Sequence, residues 1–201
     1  TCLHEIFEKI DFCNFEERIE ETVDYSFKNY AIKDNMQYKE YVKDIVRNVI
    51  LARMPIINGS KITENYVSLN SITFNDRKSE IEFTFNLLDE KLRNYCNGFI
   101  DLLFKRGDYY SILDWKSDTI NNDDLLNYNN LTDIKTRVDG HYSIQRVLYS
   151  YTLISWLYDL GLEETKEEVF NKHFGGIYYV FIRGCHEDSY NGIYAQTWNS
   201  W

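Results

Sequence analysis

The sequence contains one proline, four cysteines with no C-x-x-C pair, and no apolar run of membrane-spanning length. Each scarcity excludes something. A transmembrane helix needs about 20 mostly apolar residues, and nothing here approaches that. No signal-peptide pattern opens the chain, so the expectation is a cytoplasmic protein with no membrane partner. Cys2, Cys13, Cys96 and Cys185 lie far apart. Disulfides are unexpected in a reducing compartment, so the four read as buried free thiols. There is no internal repeat and no low-complexity linker. The chain lacks an initiating methionine and its first residues already pattern as helix, which reads as a fragment of a longer protein.

Positive charge is also scarce: 22 Lys and Arg stand against 32 Asp and Glu, a net charge of −10. Phosphate neutralisation supplies much of the affinity of a free-standing nucleic-acid binder. A domain this acidic is a poor electrostatic trap for DNA, and any such substrate must be delivered to it. The 201 residues fit one domain, or one with an appended helical piece. Hydrophobic residues, at 44%, suffice for an ordinary core. Heavy use of Asn, Lys, Ile and Tyr reflects the base composition of the gene, so a single Lys or Asn carries little information.

The order of patterns predicts an α/β protein with a helical N-terminal extension. Leu3, Ile6, Phe7 and Ile10 share a helix face. A second helix is expected from Glu16 to Ala31. A third carries the stripe Tyr38, Tyr41, Val42, Ile45, Val46, Val49 and Ile50 and ends before Met54-Pro55. After a turn at Asn58-Gly59-Ser60, alternation from Tyr66 to Leu87 predicts strands, including Ile81–Phe85. Phe99–Phe104, a turn at Lys105–Asp108 and Tyr109–Trp115 predict a β-hairpin. Residues 117–141 read as a long polar loop or irregular helix. Tyr142–Tyr158 reads as a strong helix stopped at Gly161, Glu163–Phe170 as a short helix, and Gly176–Ile182 as a buried strand.

The chemistry sits in that hairpin. D-x-K occurs four times, at Asp76-Lys78, Asp89-Lys91, Asp114-Lys116 and Asp133-Lys135. Only Asp114-Trp115-Lys116 ends an apolar strand preceded by another strand with its own acid, Asp101. An even-length turn that pairs Lys105 with Asp108 sets Asp101 opposite Ile112 and Asp114 opposite Phe99. Cross-strand partners share a face, as do residues two apart. Asp101, Asp114 and Lys116 then emerge together, with the two acids diagonal neighbours roughly 7 Å apart. Carboxylates held so close repel unless a proton or cation lies between them. Hard oxygens suit Mg²⁺ or Mn²⁺, and Lys116 supplies a compact positive charge for a phosphoryl transition state.

Gly98–Asp101 followed by Tyr110–Asp118 resembles the PD-(D/E)xK nuclease pattern, and more narrowly the C-terminal nuclease domain of the RecB subunits of exodeoxyribonuclease V, the RecBCD helicase–nucleases. Thr1–Glu8 is similar to that domain's opening helix, Tyr142–Tyr149 to its Q-x-x-x-Y helix, and His173–Gly184 to its closing strand. The resemblance implies a restriction-endonuclease-like core, a central mixed sheet flanked by helices. It also implies a single nuclease domain over 1–201, with residues 1–60 helical and 61–201 the catalytic α/β core. His4, Asp101, Asp114 and the carbonyl of Trp115 would bind one Mg²⁺, with Mn²⁺ as the alternative ion. Lys116 would be the catalytic lysine, and Gln145 and Tyr149, one turn apart, would flank the site. Glu82 sits where related nucleases carry an acid.

Asp118 departs from the Asn common there and adds negative charge. The implied partners are DNA, chiefly single-stranded, the rest of a RecB-like helicase chain, RecC-like and RecD-like subunits, and a RecA-like recombinase. The rival expectation is a catalytically silent module kept for structure or docking. An iron–sulfur variant needs clustered C-terminal cysteines, and only Cys185 lies there. His141, His173 and His186 read as structural or exposed.

Overall fold

A computed structural model describes residues 1–33, 35–87, 94–117 and 128–201. Three helices come first: α1 (Cys2–Lys9), α2 (Phe15–Asn29) and α3 (Met36–Leu51). A small hairpin follows, β1 (Met54–Asn58) with β2 (Lys61–Val67), turning at Gly59. The main sheet is built from β3 (Arg77–Leu87), β4 (Asn94–Arg106), β5 (Tyr109–Lys116), β6 (Phe174–Phe181) and β7 (Ile193–Gln196), in that spatial order. Only β5 and β6 run parallel, so the sheet is mixed. Between them the chain crosses through α4 (Leu131–His141), α5 (Ser143–Asp159) and α6 (Lys166–His173). No helix among the described residues is long and apolar enough to cross a membrane.

Caps and apolar faces account for the helices. Thr1, Asn35, Asn130 and Thr165 each accept a first-turn backbone N–H, satisfying donors that have no partner inside the helix. α1 to α3 and the small hairpin pack one face of the sheet through Ile6, Phe7, Ile50, Leu102, Leu113, Trp115 and Val180. α4 to α6 cover the other through Ile112, Tyr149, Leu153, Phe170, Ile177 and Tyr179. All of β6 is buried, as a strand covered on both sides should be. Gly176 has φ +82, at the register slip between β5 and β6.

Several expectations change in detail. Tyr38 and Tyr41 are exposed on α3, while Lys43 is buried and paired with Glu20 and Glu40. A long lysine stem can cover apolar surface while its ammonium reaches carboxylates at the rim. Of the described cysteines, all free, only Cys185 is buried; Cys2 is half-buried and Cys13 exposed. A regular helix, α4, occupies the end of the stretch expected as loop or irregular helix. Asp89, Lys91 and Asp118 lie outside the described residues.

The hairpin register also differs. Arg106 pairs with Tyr109 and Leu102 with Leu113, so the turn is the two residues Gly107-Asp108. Gly107 has φ +58, at the first loop position where a type II′ turn takes glycine. The pairing is shifted by two residues from that expected, which leaves the faces unchanged. Asp101 falls opposite Asp114 rather than opposite Ile112, just beyond the last paired residues of the ladder.

Candidate functional site

The acids meet where strand geometry breaks. Leu102 and Phe104 of β4 point into the core beneath the N-terminal helices, while Ile100 enters the opposite core. Residues 100 and 102 would share a face in a regular strand, so the alternation slips at Asp101. Across the β3–β4 ladder the same slip meets Glu80, whose φ of +50 is unusual for a residue with a side chain. The Asp101 carboxylate takes over a ladder bond, its Oδ2 accepting the backbone N–H of Trp115 at 2.8 Å.

β5 presents Asp114 and Lys116 on one face and Trp115 on the other. Trp115 stacks on Phe7 with ring centroids 4.5 Å apart, which pins α1 against β5. His4, one turn before Phe7, therefore arrives with Nε2 3.9 Å from Asp101 Oδ2. Its Nδ1 lies 2.5 Å from the Thr1 hydroxyl. Burial lowers its pKa, and the charges of Asp114 and Glu80 and the carbonyl of Trp115 only partly offset this. The neutral imidazole is favoured.

Asp114 is 3% exposed. Burial is the main cause that pushes both acids up, Asp101 and Asp114 alike, to about 6. For Asp114 the Lys116 ammonium pulls the other way and the charge of Asp101 adds to the rise. Because the two interact, they titrate as a pair. Lys116 forms an ion pair with Asp114 Oδ2, an atom that is buried and has no hydrogen bond of good geometry. Among the described residues, no three His, Cys, Asp or Glu side chains close into a ready metal cage; Lys116 holds the oxygen that such a cage would need.

α5 supplies the polar wall. Gln145 donates to Asp114 Oδ1 at 3.1 Å and to the Tyr149 hydroxyl at 2.8 Å, while its Oε1 accepts from Lys116 at 3.3 Å. Tyr149 donates to the Phe99 carbonyl at 2.5 Å. Its phenol is pushed up by burial and by Asp114, so it stays a proton donor.

No family model matches the chain. Curated proteins named RecBCD enzyme subunit RecB do match. That of Buchnera aphidicola subsp. Baizongia pistaciae is 31% identical over 169 residues, 83% of this chain and 13% of the relative. That of Escherichia coli K12 is 24% identical over the whole chain and 18% of its own length. In Haemophilus influenzae the match is 27% over 52% of the chain and 8% of the relative.

The chain belongs to the RecB family.

It spans less than a fifth of the length of these RecB relatives and matches their C-terminal part. Among the described residues, the structure brings together all those singled out from the RecB resemblance except one. His4, Asp101, Asp114, Trp115, Lys116, Gln145 and Tyr149 are linked in one connected cluster. Glu82 is the exception. It is exposed opposite Phe99 and borders a cavity of about 480 Å³ with Tyr151, Trp156 and Lys166. Glu80 is the acid whose charge reaches Asp101 and His4; alternation alone could not separate it from Glu82, because 80 and 82 share strand parity. His173 is structural, held by the Asp108 carbonyl and Glu163, and His141 and His186 are exposed.

Two aromatic residues were missed. Lys116 Nζ lies 3.7 Å from the ring centroid of Tyr142 and 5.4 Å from that of Tyr179. Tyr142 precedes Gln145 and Tyr149 at helical spacing, a signal present in the sequence. Tyr179 pairs with Asp114 only through the parallel β5–β6 register, which no local pattern reveals.

Proposed function

We propose that this domain hydrolyses DNA phosphodiester bonds as the nuclease part of a RecB-like helicase–nuclease, in double-strand break processing and recombinational repair. One observation carries the reading: two carboxylates on adjacent strands, Asp114 buried and Asp101 half-buried, with the Lys116 ammonium beside them. Such a pair is costly at neutral pH without positive charge between its members.

The donors fit a hard divalent cation. Asp114 Oδ2 is buried and meets only the Lys116 ammonium, with no hydrogen bond of good geometry, and Asp101 and His4 face the same space as the Trp115 carbonyl. Oxygen donors with one imidazole suit Mg²⁺ or Mn²⁺. His4, Asp101, Asp114 and the Trp115 carbonyl would hold one such ion, which when bound supplies Lewis-acid polarisation and a lowered water pKa.

The remaining chemistry belongs to the chain's own groups. Water attacks phosphorus in line, the new P–O bond forming as the bond to the leaving oxygen breaks; the water loses one proton and the departing oxygen takes one up, with no covalent enzyme intermediate. Lys116 offers its ammonium to the negative charge that grows on the phosphoryl oxygens. Gln145 orients Asp114 and Lys116 together, and Tyr149 anchors Gln145 to β4 through Phe99. The acidic surface accords with DNA, chiefly a single strand, fed by the rest of a RecB-like chain in the cytoplasm with RecC-like and RecD-like subunits. A RecA-like recombinase is a further candidate partner.

Digestion of a labelled single-stranded oligonucleotide with Mg²⁺, Mn²⁺ or EDTA tests the proposal. Metal-dependent cleavage should fall by about 10²-fold or more in Lys116→Ala and Asp114→Ala. Absence of cleavage by the wild-type site, both alone and within its full-length complex, would leave a silent docking module instead.

A further inference from the structure

The Lys116 ammonium has three kinds of neighbour: a carboxylate, an amide oxygen and an aromatic face. The first is also a donor that a divalent cation needs. An ammonium held chiefly by Asp114 would lose its anchor whenever a cation claimed that oxygen. The other two neighbours belong to no metal ligand.

Tyr142 is itself firmly placed. It stands at the joint of α4 and α5, where its N–H donates to Val138 at 2.8 Å and its carbonyl accepts from Arg146 at 2.9 Å. Its ring stacks on Tyr179 with centroids 5.6 Å apart and planes 21° from parallel. The Tyr179 hydroxyl donates to the Tyr142 carbonyl at 3.4 Å, and Tyr179 is fully buried in β6. A half-buried ammonium over an aromatic face gains from the ring quadrupole, more so where water is excluded.

We propose that Tyr142, backed by Tyr179, is a positioning residue for Lys116: the stacked rings form a fixed platform that keeps the ammonium at the scissile phosphate when Asp114 turns to a cation. Tyr142 touches no reacting atom and acts only through Lys116. The proposal rests on the nuclease reading above, and its test separates the two. The platform needs the ring face, which phenylalanine keeps, so Tyr142→Phe should retain the wild-type kcat. Tyr142→Leu keeps bulk without a π-face. It should lower kcat about tenfold, ~1.4 kcal/mol on the barrier, with KM and Mn²⁺ affinity unchanged.

A second readout needs no DNA. In the metal-free protein, the Lys116 Cε protons should resonate upfield of ordinary lysine through the ring current. That shift should persist in Tyr142→Phe and shrink in Tyr142→Leu, where only the more distant Tyr179 ring remains. An ordinary Lys116 shift in the wild type overturns the platform whatever the enzyme does. So does full kcat in Tyr142→Leu, or an equal fall in Tyr142→Phe. Loss of Mn²⁺ affinity in Tyr142→Leu would equally overturn it, since the rings would then serve the fold of the site.

Discussion

Asp101 accepts the backbone N–H of Trp115 at 2.8 Å, across the point where the β4–β5 ladder stops. One side chain thereby replaces a backbone hydrogen bond and frees the strands to part around the acids. Trp115 in turn carries the stack on Phe7 that brings His4 to the site. Trp115 thus joins the first helix to the central hairpin, beside the approach of His4 to Asp101 on β4.

The acid pair has a measurable cost in the metal-free protein. A carboxyl whose folded pKa is raised binds more protons folded than unfolded, so it loses stability as pH rises from about 4 through about 6. Asp114→Asn removes that charge. The variant should melt higher than wild type at pH 7.5, by up to about 3 kcal/mol from a shift of roughly two pKa units. The difference should close as pH falls toward 4. Thermal melts of both proteins in EDTA across pH 4–8 check this, and a constant difference would contradict it.

Gln145 bridges Asp114, Lys116 and Tyr149. Groups that orient metal-site residues typically contribute 10–100-fold. Gln145→Ala should therefore slow single-turnover cleavage by about 10–100-fold while the fold survives, as read by circular dichroism. A rate within twofold of wild type would remove Gln145 from the machinery.

Glu80 and Glu82 should separate. Glu80 is exposed, and exposed charges contribute about 0.2–1 kcal/mol, so Glu80→Gln should weaken Mn²⁺ binding by only about two- to fivefold. Glu82→Gln, on a residue facing the cavity beside α5, should leave it unchanged. Titration calorimetry on both variants decides between the two positions.

Gly176 lies in β6 at φ +82, and a Cβ there would meet the Ile57 side chain and sit 2.9 Å from the Gln196 carbonyl. Gly176→Ala combines a strained backbone with overpacking, each of which costs on the order of 1–3 kcal/mol. Denaturant unfolding should show a loss of roughly 2–5 kcal/mol. A loss below about 1 kcal/mol would mean that β6 relaxes freely.

Much of this was legible because the signals are local. Ile45, Val46, Val49 and Ile50 mark the buried face of α3, and the apolar run in β6 marks a strand covered on both sides. The pairing of Asp101 with Asp114-x-Lys116 survived an error of two in register, because an even shift returns every side chain to its own face. Non-local features did not survive. Tyr179 reaches the site through a parallel pairing with β5 after a crossover of three helices. Glu80 outranks Glu82 because of a backbone irregularity that side-chain alternation does not encode. Tyr38 and Tyr41 fit the helical stripe but lie at its exposed end, where each stays more than half exposed.

A divalent-cation site formed by Asp101 and Asp114 is open to test without DNA or partner subunits. Binding of Mn²⁺ should be followed by electron paramagnetic resonance at neutral pH in wild type, Asp101→Asn and Asp114→Asn. One ion should bind per chain in the wild type, and each variant should bind at least tenfold more weakly. Binding that is absent from the wild type, or indifferent to both substitutions, would contradict it.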